Sequence, residues 1–159
     1  YGKLEAHPSV RTTTFAGAVG APDPARLGTA PRPLPRLTAG SWVHGDLTTW
    51  IGSPEKNLAW DLLIGAKRAF DAVIATGRLS ESQRAAAYRQ LASCESSDWF
   101  WWMGDYNPEF AVATFDRLFR ANLSHLYALL DLPPPPALAH PISRGGGYPE
   151  LGGAMRRAS

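Results

Sequence analysis

The chain is organised around the stretch Cys94-Glu-Ser-Ser-Asp-Trp-Phe-Trp-Trp-Met-Gly-Asp-Tyr-Asn107, in which four consecutive aromatic residues stand among acidic ones. Clustered aromatic side chains usually belong to a core, because tryptophan is well buried in most proteins. A lone carboxylate is costly to bury, so the acids at Glu95 and Asp98 indicate either a paired network or a solvated pocket. Aromatic faces beside a carboxylate suit a sugar, whose C–H faces stack while its hydroxyls donate to the acid.

A first helix is predicted before this stretch. Ser53 is a suitable N-cap, Pro54 fits the first helical position, and Gly77 ends the pattern. Trp60 and Ile64 lie off the apolar stripe, which predicts that a second side of this helix is also covered. The stripe recurs at three- and four-residue spacing and consists of Ala59, Leu62, Leu63, Ala66, Phe70, Val73 and Ile74.

Two further helices follow. The second begins with the capping box Ser80-Glu-Ser-Gln83, and the third with Asn107 as N-cap before Pro108. Asn122 falls within the third stripe, where we expect a hydrogen-bonded core amide. That stripe consists of Val112, Phe115, Phe119, Leu126, Leu129 and Leu130. The pattern predicts a mainly α fold, with three helices packed as a bundle.

The central stretch would place its acids on one helix face in one arrangement. If the second helix continues through it, Glu95, Asp98 and Trp102 share one face with Tyr88 and Leu91, by their three- and four-residue spacing. The other aromatic residues are expected to belong to the core, where they pack loops against the bundle. This expectation covers Trp99, Phe100 and Trp102, together with Trp42, Trp50 and Trp60.

Proline and glycine divide the chain into four parts. Residues 1–16 include a β-branched run at 10–15 that favours a short strand, and the start at Tyr1 indicates a piece of a longer chain. Residues 17–40 are rich in proline, which forbids a helix interior or a central strand, so they form a long connection. Residues 41–132 are the helical domain. Residues 133–159 are a Pro/Gly-rich tail, expected to be flexible because its glycines lack the spacing of a phosphate-binding loop.

Composition excludes several classes of function. The net charge of +2, from 16 basic and 14 acidic side chains, is too balanced to indicate a nucleic-acid partner. The single cysteine allows no internal disulfide, and the four scattered histidines lack the spacing of metal ligands. No signal segment or membrane-spanning apolar run is present, so we expect no membrane partner and favour the cytoplasm. No cofactor is implied.

Three segments together resemble the helical region that follows the catalytic barrel in glycoside hydrolase family 57, nearest to its α-amylase and amylopullulanase branch. These are Ser41-Trp-Val-His-Gly-Asp-Leu-Thr-Thr-Trp-Ile-Gly-Ser-Pro-Glu-Lys-Asn-Leu-Ala-Trp60, Glu95-Ser-Ser-Asp-Trp-Phe-Trp-Trp-Met-Gly-Asp105 and Leu118-Phe-Arg-Ala-Asn-Leu-Ser-His-Leu-Tyr127. The resemblance covers residues 1–138, with order and spacing in agreement. It implies the C-terminal region of an incomplete (β/α)7-barrel enzyme, whose barrel ends within residues 1–16.

The resemblance also implies a substrate and its contacts. The family cleaves α-glucans by a retaining mechanism that uses a Glu nucleophile and an Asp acid/base, and neither residue is matched here. In the family's last sequence region, Asp98 matches an acid that hydrogen-bonds glucose hydroxyls, and Trp101 matches an aromatic residue that stacks on a neighbouring glucose. Glu95 opens the same region and is a third candidate. Tyr106 departs from the family pattern, which usually has more polar residues there.

The sequence therefore predicts the substrate-binding C-terminal part of a retaining α-glucan hydrolase or glucanotransferase. Its expected partners are an α-glucan, such as starch, glycogen or a maltooligosaccharide, and the N-terminal barrel of the parent enzyme. No catalytic residue is expected in this chain, which is predicted to be inactive alone. The alternatives are a non-enzymatic helical interaction module with a tryptophan-rich partner surface, and a carbohydrate-binding protein in its own right.

Overall fold

The computed structural model describes residues 1–20 and 33–148, and the chain divides into two compact units, Tyr1–Thr38 and Ala39–Ser159. In the first unit, helix α1 spans Gly2–Glu5 and helix α2 spans Phe15–Val19. The predicted strand over 10–15 is wrong, and no strand occurs among the described residues. The Thr14 hydroxyl accepts the Gly17 N–H at 3.0 Å, so this threonine caps α2. Residues 21–32 of the predicted connection lie outside the described part.

Helix α3, Pro54–Thr76, has the predicted caps. The Ser53 hydroxyl accepts the Lys56 N–H at 3.4 Å, and Gly77 closes the helix at a φ of 68°, which favours glycine. Ile64 is 43% exposed, so the predicted second covered side is wrong at that residue. Of the predicted stripe, Leu62 and Ile74 are half-buried, and the fully buried members are Ala59, Leu63, Ala66, Phe70 and Val73.

Helix α4 spans Glu81–Cys94 and begins with the predicted capping box at Ser80. It does not continue into the aromatic stretch, so the condition for one face shared by Tyr88, Leu91, Glu95, Asp98 and Trp102 is not met. Ser96 Oγ instead accepts the Asp98 N–H at 3.4 Å, and a separate short helix, α5, spans Asp98–Trp102. Serine hydroxyls compete with the helical backbone for such donors, which is consistent with a break here.

Helix α6 spans Glu109–Leu129, with Pro108 at the N-cap position and no side-chain cap, so the prediction of Asn107 as N-cap is wrong. The Asn122 amide accepts from Gln90 Nε2 at 2.8 Å, which confirms a hydrogen-bonded amide, although the residue is only half-buried. Within the predicted stripe, Phe115 and Leu129 are half-buried, and the fully buried residues are Val112, Phe119, Leu126 and Leu130.

The second unit is mainly α-helical, with three long helices, α3, α4 and α6, packed around one apolar core. A 3₁₀ helix, Pro136–Ala139, also packs on α6, and Leu138 and Ile142 are buried. Residues 133–148 therefore differ from the predicted flexible tail, and residues 149–159 lie outside the described part. In the part of the chain that the structure describes, no helix has the combined length and apolar character needed to cross a membrane.

Candidate functional site

Three indole rings meet where α5 approaches the loop before α3. Trp101 stacks on Trp42 with ring centres 6.2 Å apart and planes 10° apart, and it contacts Trp50 at 5.6 Å. We call these three residues the tryptophan cluster. The prediction that Trp42 is core is wrong, because this side chain is 75% exposed. A stacked, partly exposed indole pair is a face on which a flat apolar ligand surface can lie.

The loop of residues 41–52 places two members of the cluster. The Trp50 indole N–H donates to the Ser41 hydroxyl at 2.7 Å, and the Ser41 N–H donates to the Asp46 carbonyl at 3.0 Å. The loop is tight at Gly40, where a Cβ would lie 2.3 Å from the carbonyl oxygen of Gly45. These contacts close the 41–52 loop on itself, with Trp42 at its outer edge.

The third member is held through its backbone by the loop of residues 103–108. The Asn107 amide donates to the carbonyls of Trp101 and Trp102, both at 3.0 Å, and the Tyr106 hydroxyl lies 3.4 Å from the Trp101 carbonyl. Asn107 is completely buried. Its amide therefore ends α5 instead of capping α6, which explains the failed N-cap prediction.

Lys56 connects the two loops. Its Nζ donates to the Thr49 carbonyl and, at 2.5 Å, to the Tyr106 hydroxyl. Burial lowers the pKa of this ammonium from 10.5 to about 8, although the neighbouring carboxylates of Glu55 and Asp105 act in the opposite direction. Burial, with those same two carboxylates, raises the pKa of the Tyr106 phenol to about 12.

Residues 143–147 support the 103–108 loop. The Ser143 hydroxyl accepts the Gly104 N–H at 3.1 Å and also hydrogen-bonds the Glu55 carboxylate, whose pKa is raised chiefly by burial. The N–H groups of Gly146 and Gly147 donate to the Asn107 carbonyl at 3.0 and 2.9 Å. A Cβ on Gly147 would lie 2.0 Å from the Tyr106 carbonyl oxygen, so this glycine permits the close approach of the two segments.

The two candidate acids are both exposed. Asp98 begins α5, one turn before Trp101, whereas Glu95 caps the C-terminus of α4. Among the described residues, neither carboxylate has a hydrogen-bond or ion-pair partner. The structure thus brings Trp101 together with Trp42 and Trp50, places Asp98 on the same short helix, and shows no contact between Glu95 and the cluster.

The remaining aromatic residues are closer to the prediction. Phe100 is buried at 1% exposure, which confirms it as core, and Trp60 stacks on it at 4.1 Å. Trp102 is half-buried and stacks on Phe115 at 4.7 Å, and Trp99 is also half-buried against the core. These rings therefore serve packing, in contrast to Trp42.

Sequence reasoning overlooked Lys56 and the buried polar residues around it. One signal was present: Lys56 precedes Ala59 and Leu63 at helical spacing, so it falls on the buried stripe of α3. A charged residue on such a stripe predicts a specific partner, because an unpaired buried charge is costly. The roles of Asn107 and Ser143 depend on distant backbone groups and had no such signal.

Comparisons with protein-family models, with curated proteins and with solved structures found no match. Among the described residues, no three His, Cys, Asp or Glu side chains gather where they could hold a metal ion. What the arrangement offers is an indole face, one turn of helix and an unpaired carboxylate.

Proposed function

We propose that this chain is the substrate-binding C-terminal part of a retaining α-glucan-active glycoside hydrolase or glucanotransferase. The observation that carries the proposal is the stacked pair of Trp42 and Trp101, with Asp98 on the same helix as Trp101. An exposed indole binds the C–H face of a glucose ring, and an unpaired carboxylate accepts hydrogen bonds from its hydroxyls. The resemblance of the sequence motifs to glycoside hydrolase family 57 supports the same substrate.

The exposed position of the Asp98 carboxylate favours a role in ligand binding over a role in core packing. Asp98 is exposed and has no hydrogen-bond or ion-pair partner among the described residues, so no side-chain contact there engages its carboxylate. In the parent enzyme, such a carboxylate would bind glucose hydroxyls more tightly as the ring flattens in the transition state. The cleaving carboxylates, and the barrel that carries them, would come from the rest of that enzyme.

Fluorescence titration tests the proposal. Maltoheptaose is expected to change the tryptophan emission of this chain saturably, while the β-linked cellohexaose is the control for nonspecific sugar effects. A reducing-end assay on starch should give no turnover above a mock preparation, since no nucleophile and acid pair is matched. Absence of a saturable response to maltoheptaose would contradict the binding role.

A second candidate function is a non-enzymatic interaction module. It is favoured by apolar side chains exposed in the same 41–52 loop as Trp42, namely Leu47 and Ile51 at 49% and 43% exposure. Exposed apolar patches mark partner surfaces. A module of this kind leaves emission unchanged with maltoheptaose, so the same titration separates the two functions.

A further inference from the structure

Lys56 carries a charged group into the interior of the second unit, where its exposure is 0%. It lies in the first turn of α3, one turn before Ala59. A buried ammonium destabilises the fold unless acceptors surround its three donors. The partners of Lys56 therefore identify the parts of the molecule that depend on it.

The ammonium group joins two loops. It donates to the Thr49 carbonyl of the 41–52 loop and to the Tyr106 hydroxyl of the 103–108 loop, and it lies 4.8 Å from the centre of the Tyr106 ring. That distance allows a cation–π interaction as well. The charged groups that face Lys56 are the carboxylates of Glu55 on α3 and Asp105 on the 103–108 loop.

The hydrogen bond from Lys56 to the Thr49 carbonyl supports the segment that carries Trp42. Thr49 is followed by Trp50, whose indole N–H donates to the Ser41 hydroxyl at 2.7 Å, and Ser41 is followed by Trp42. Fixing the Thr49 carbonyl therefore fixes the backbone beside Trp50, and the Ser41 hydrogen bond extends this to the residue next to Trp42.

The hydrogen bond from Lys56 to the Tyr106 hydroxyl supports the backbone of Trp101. The Tyr106 hydroxyl accepts from Lys56 and can donate to the Trp101 carbonyl, which lies 3.4 Å away. The neighbouring Asn107 amide donates to the same carbonyl at 3.0 Å. A single ammonium group thus lies between the backbone supports of both stacked indoles.

We infer that Lys56 is a positioning residue for the tryptophan cluster, holding the 41–52 and 103–108 loops together so that Trp42 and Trp101 are stacked before a ligand binds. A preformed face binds more tightly, because the ordering of its side chains is completed during folding. The inference rests on the proposed function only for the identity of the ligand. The stacking itself can be measured without one.

A purely structural lysine predicts a different outcome. Buried charged groups can often be replaced by apolar side chains of similar volume without loss of stability. Lys56→Met is therefore expected to fold. If Lys56 only fills space, the indoles stay stacked in that variant; if it positions the loops, stacking is lost while the helices remain.

Circular dichroism of coupled indoles provides the measurement. Each protein is compared with its own Trp42→Phe counterpart, because that difference isolates the signal of the Trp42 ring. The series is wild type, Lys56→Met, Tyr106→Phe and the matched control Lys67→Met. Lys67 lies on the same helix, but its side chain is 44% exposed and is paired with Asp71. In Lys56→Met and in Tyr106→Phe, the difference signal should fall by at least about half, and the Kd for maltoheptaose should rise about tenfold.

Lys67→Met should behave as wild type in both measurements. An undiminished difference signal in folded Lys56→Met and in Tyr106→Phe would overturn the inference. If Lys56→Met does not fold, Tyr106→Phe decides, since it removes one oxygen atom only. Wild-type protein that shows the difference signal but does not bind maltoheptaose refutes the proposed function, while the positioning role is still decided by the spectra.

Discussion

The middle of the bundle and the end that carries the tryptophan cluster bury different kinds of side chain. In the middle, α3, α4 and α6 meet through apolar residues such as Phe70, Ala87 and Leu123. At the cluster end, the buried side chains include Lys56 and Asn107, and each of them hydrogen-bonds a loop. The same helices thus provide an apolar core and, at one end, a support for loops.

The difference shows how stability and geometry are divided. Apolar packing is largely non-directional and accepts substitutions that conserve volume. Buried hydrogen bonds require particular partners at particular angles, so they fix where a loop lies. We therefore expect variants of the middle to change stability, and variants of the cluster end to change binding.

The largest effect is expected from Leu126→Ala, because Leu126 is completely buried in the apolar core of the bundle. Removing such a side chain costs about 2–5 kcal/mol of unfolding free energy, measurable by denaturant titration. Leu118→Ala, on the same helix at 44% exposure, is the control and should cost under about 0.5 kcal/mol. Equal losses of unfolding free energy in the two variants would contradict the expectation that the buried core provides most of the stability.

The second prediction concerns pH. The folded pKa of Lys56, about 8, lies below the value of 10.5 expected without burial, so between these values the unfolded state binds more protons. The Lys56 contribution to the unfolding free energy therefore rises with pH from about 8 to about 10.5, by up to about 3 kcal/mol.

Three other groups act in the opposite direction, and one of them is Tyr127, whose pKa burial raises above its usual value of 10.0. Burial raises the pKa of Cys94 from 9.0 to about 11 and that of Tyr106 from 10.0 to about 12, so both reduce stability as pH rises through those windows. Unfolding of wild type and Lys56→Met should therefore be compared at each pH. A difference between the two proteins that is constant with pH would contradict a buried, charged Lys56.

Asp98→Asn should weaken binding without weakening the fold. It removes a charged acceptor while keeping size, and a hydrogen bond to a charged group contributes about 1.5–3 kcal/mol, so the Kd for maltoheptaose should rise roughly 10- to 150-fold. Asp61→Asn, another exposed acid, is the control. The melting temperature and the Kd are measured on one preparation, and a destabilised variant with normal affinity would assign Asp98 to the fold.

The smallest effect is expected from Trp42→Ala. The ring is 75% exposed, so its loss should leave the unfolding free energy within about 0.5 kcal/mol of wild type. Binding of maltoheptaose should weaken roughly tenfold, because one face of the stacked pair is removed. Calorimetric titration gives the Kd, and a loss of stability with unchanged Kd would make Trp42 a packing residue.

Local signals in the sequence predicted most of the bundle. The N-cap at Ser53, the capping box at Ser80 and the end at Gly77 are correct, since each depends on residues within one turn. The break after α4 was missed, because a continuous apolar and acidic spacing does not reveal that Ser96 accepts the Asp98 N–H.

The candidate site was less accessible to prediction. Asp98 was singled out as an acid among aromatic residues, the glucose-binding roles of Asp98 and Trp101 came from the resemblance, and these roles stay predictions. The exposure of Trp42 and the role of Asn107 depend on contacts between segments far apart in the chain, which periodicity does not encode. Lys56 could have been found, because a charge on an apolar stripe is visible in the sequence.

Indole N–H signals in a ¹H–¹⁵N spectrum test the central claim most directly, since each tryptophan gives one resonance that can be followed as maltoheptaose is added. We expect those of Trp42 and Trp101 to shift saturably. Those of Trp60 and Trp99, which donate to the carbonyls of Trp50 and Ser93, should stay in place. Saturable shifts at Trp60 or Trp99 with none at Trp42 and Trp101, or no shift at all, would contradict a glucan-binding role for the tryptophan cluster.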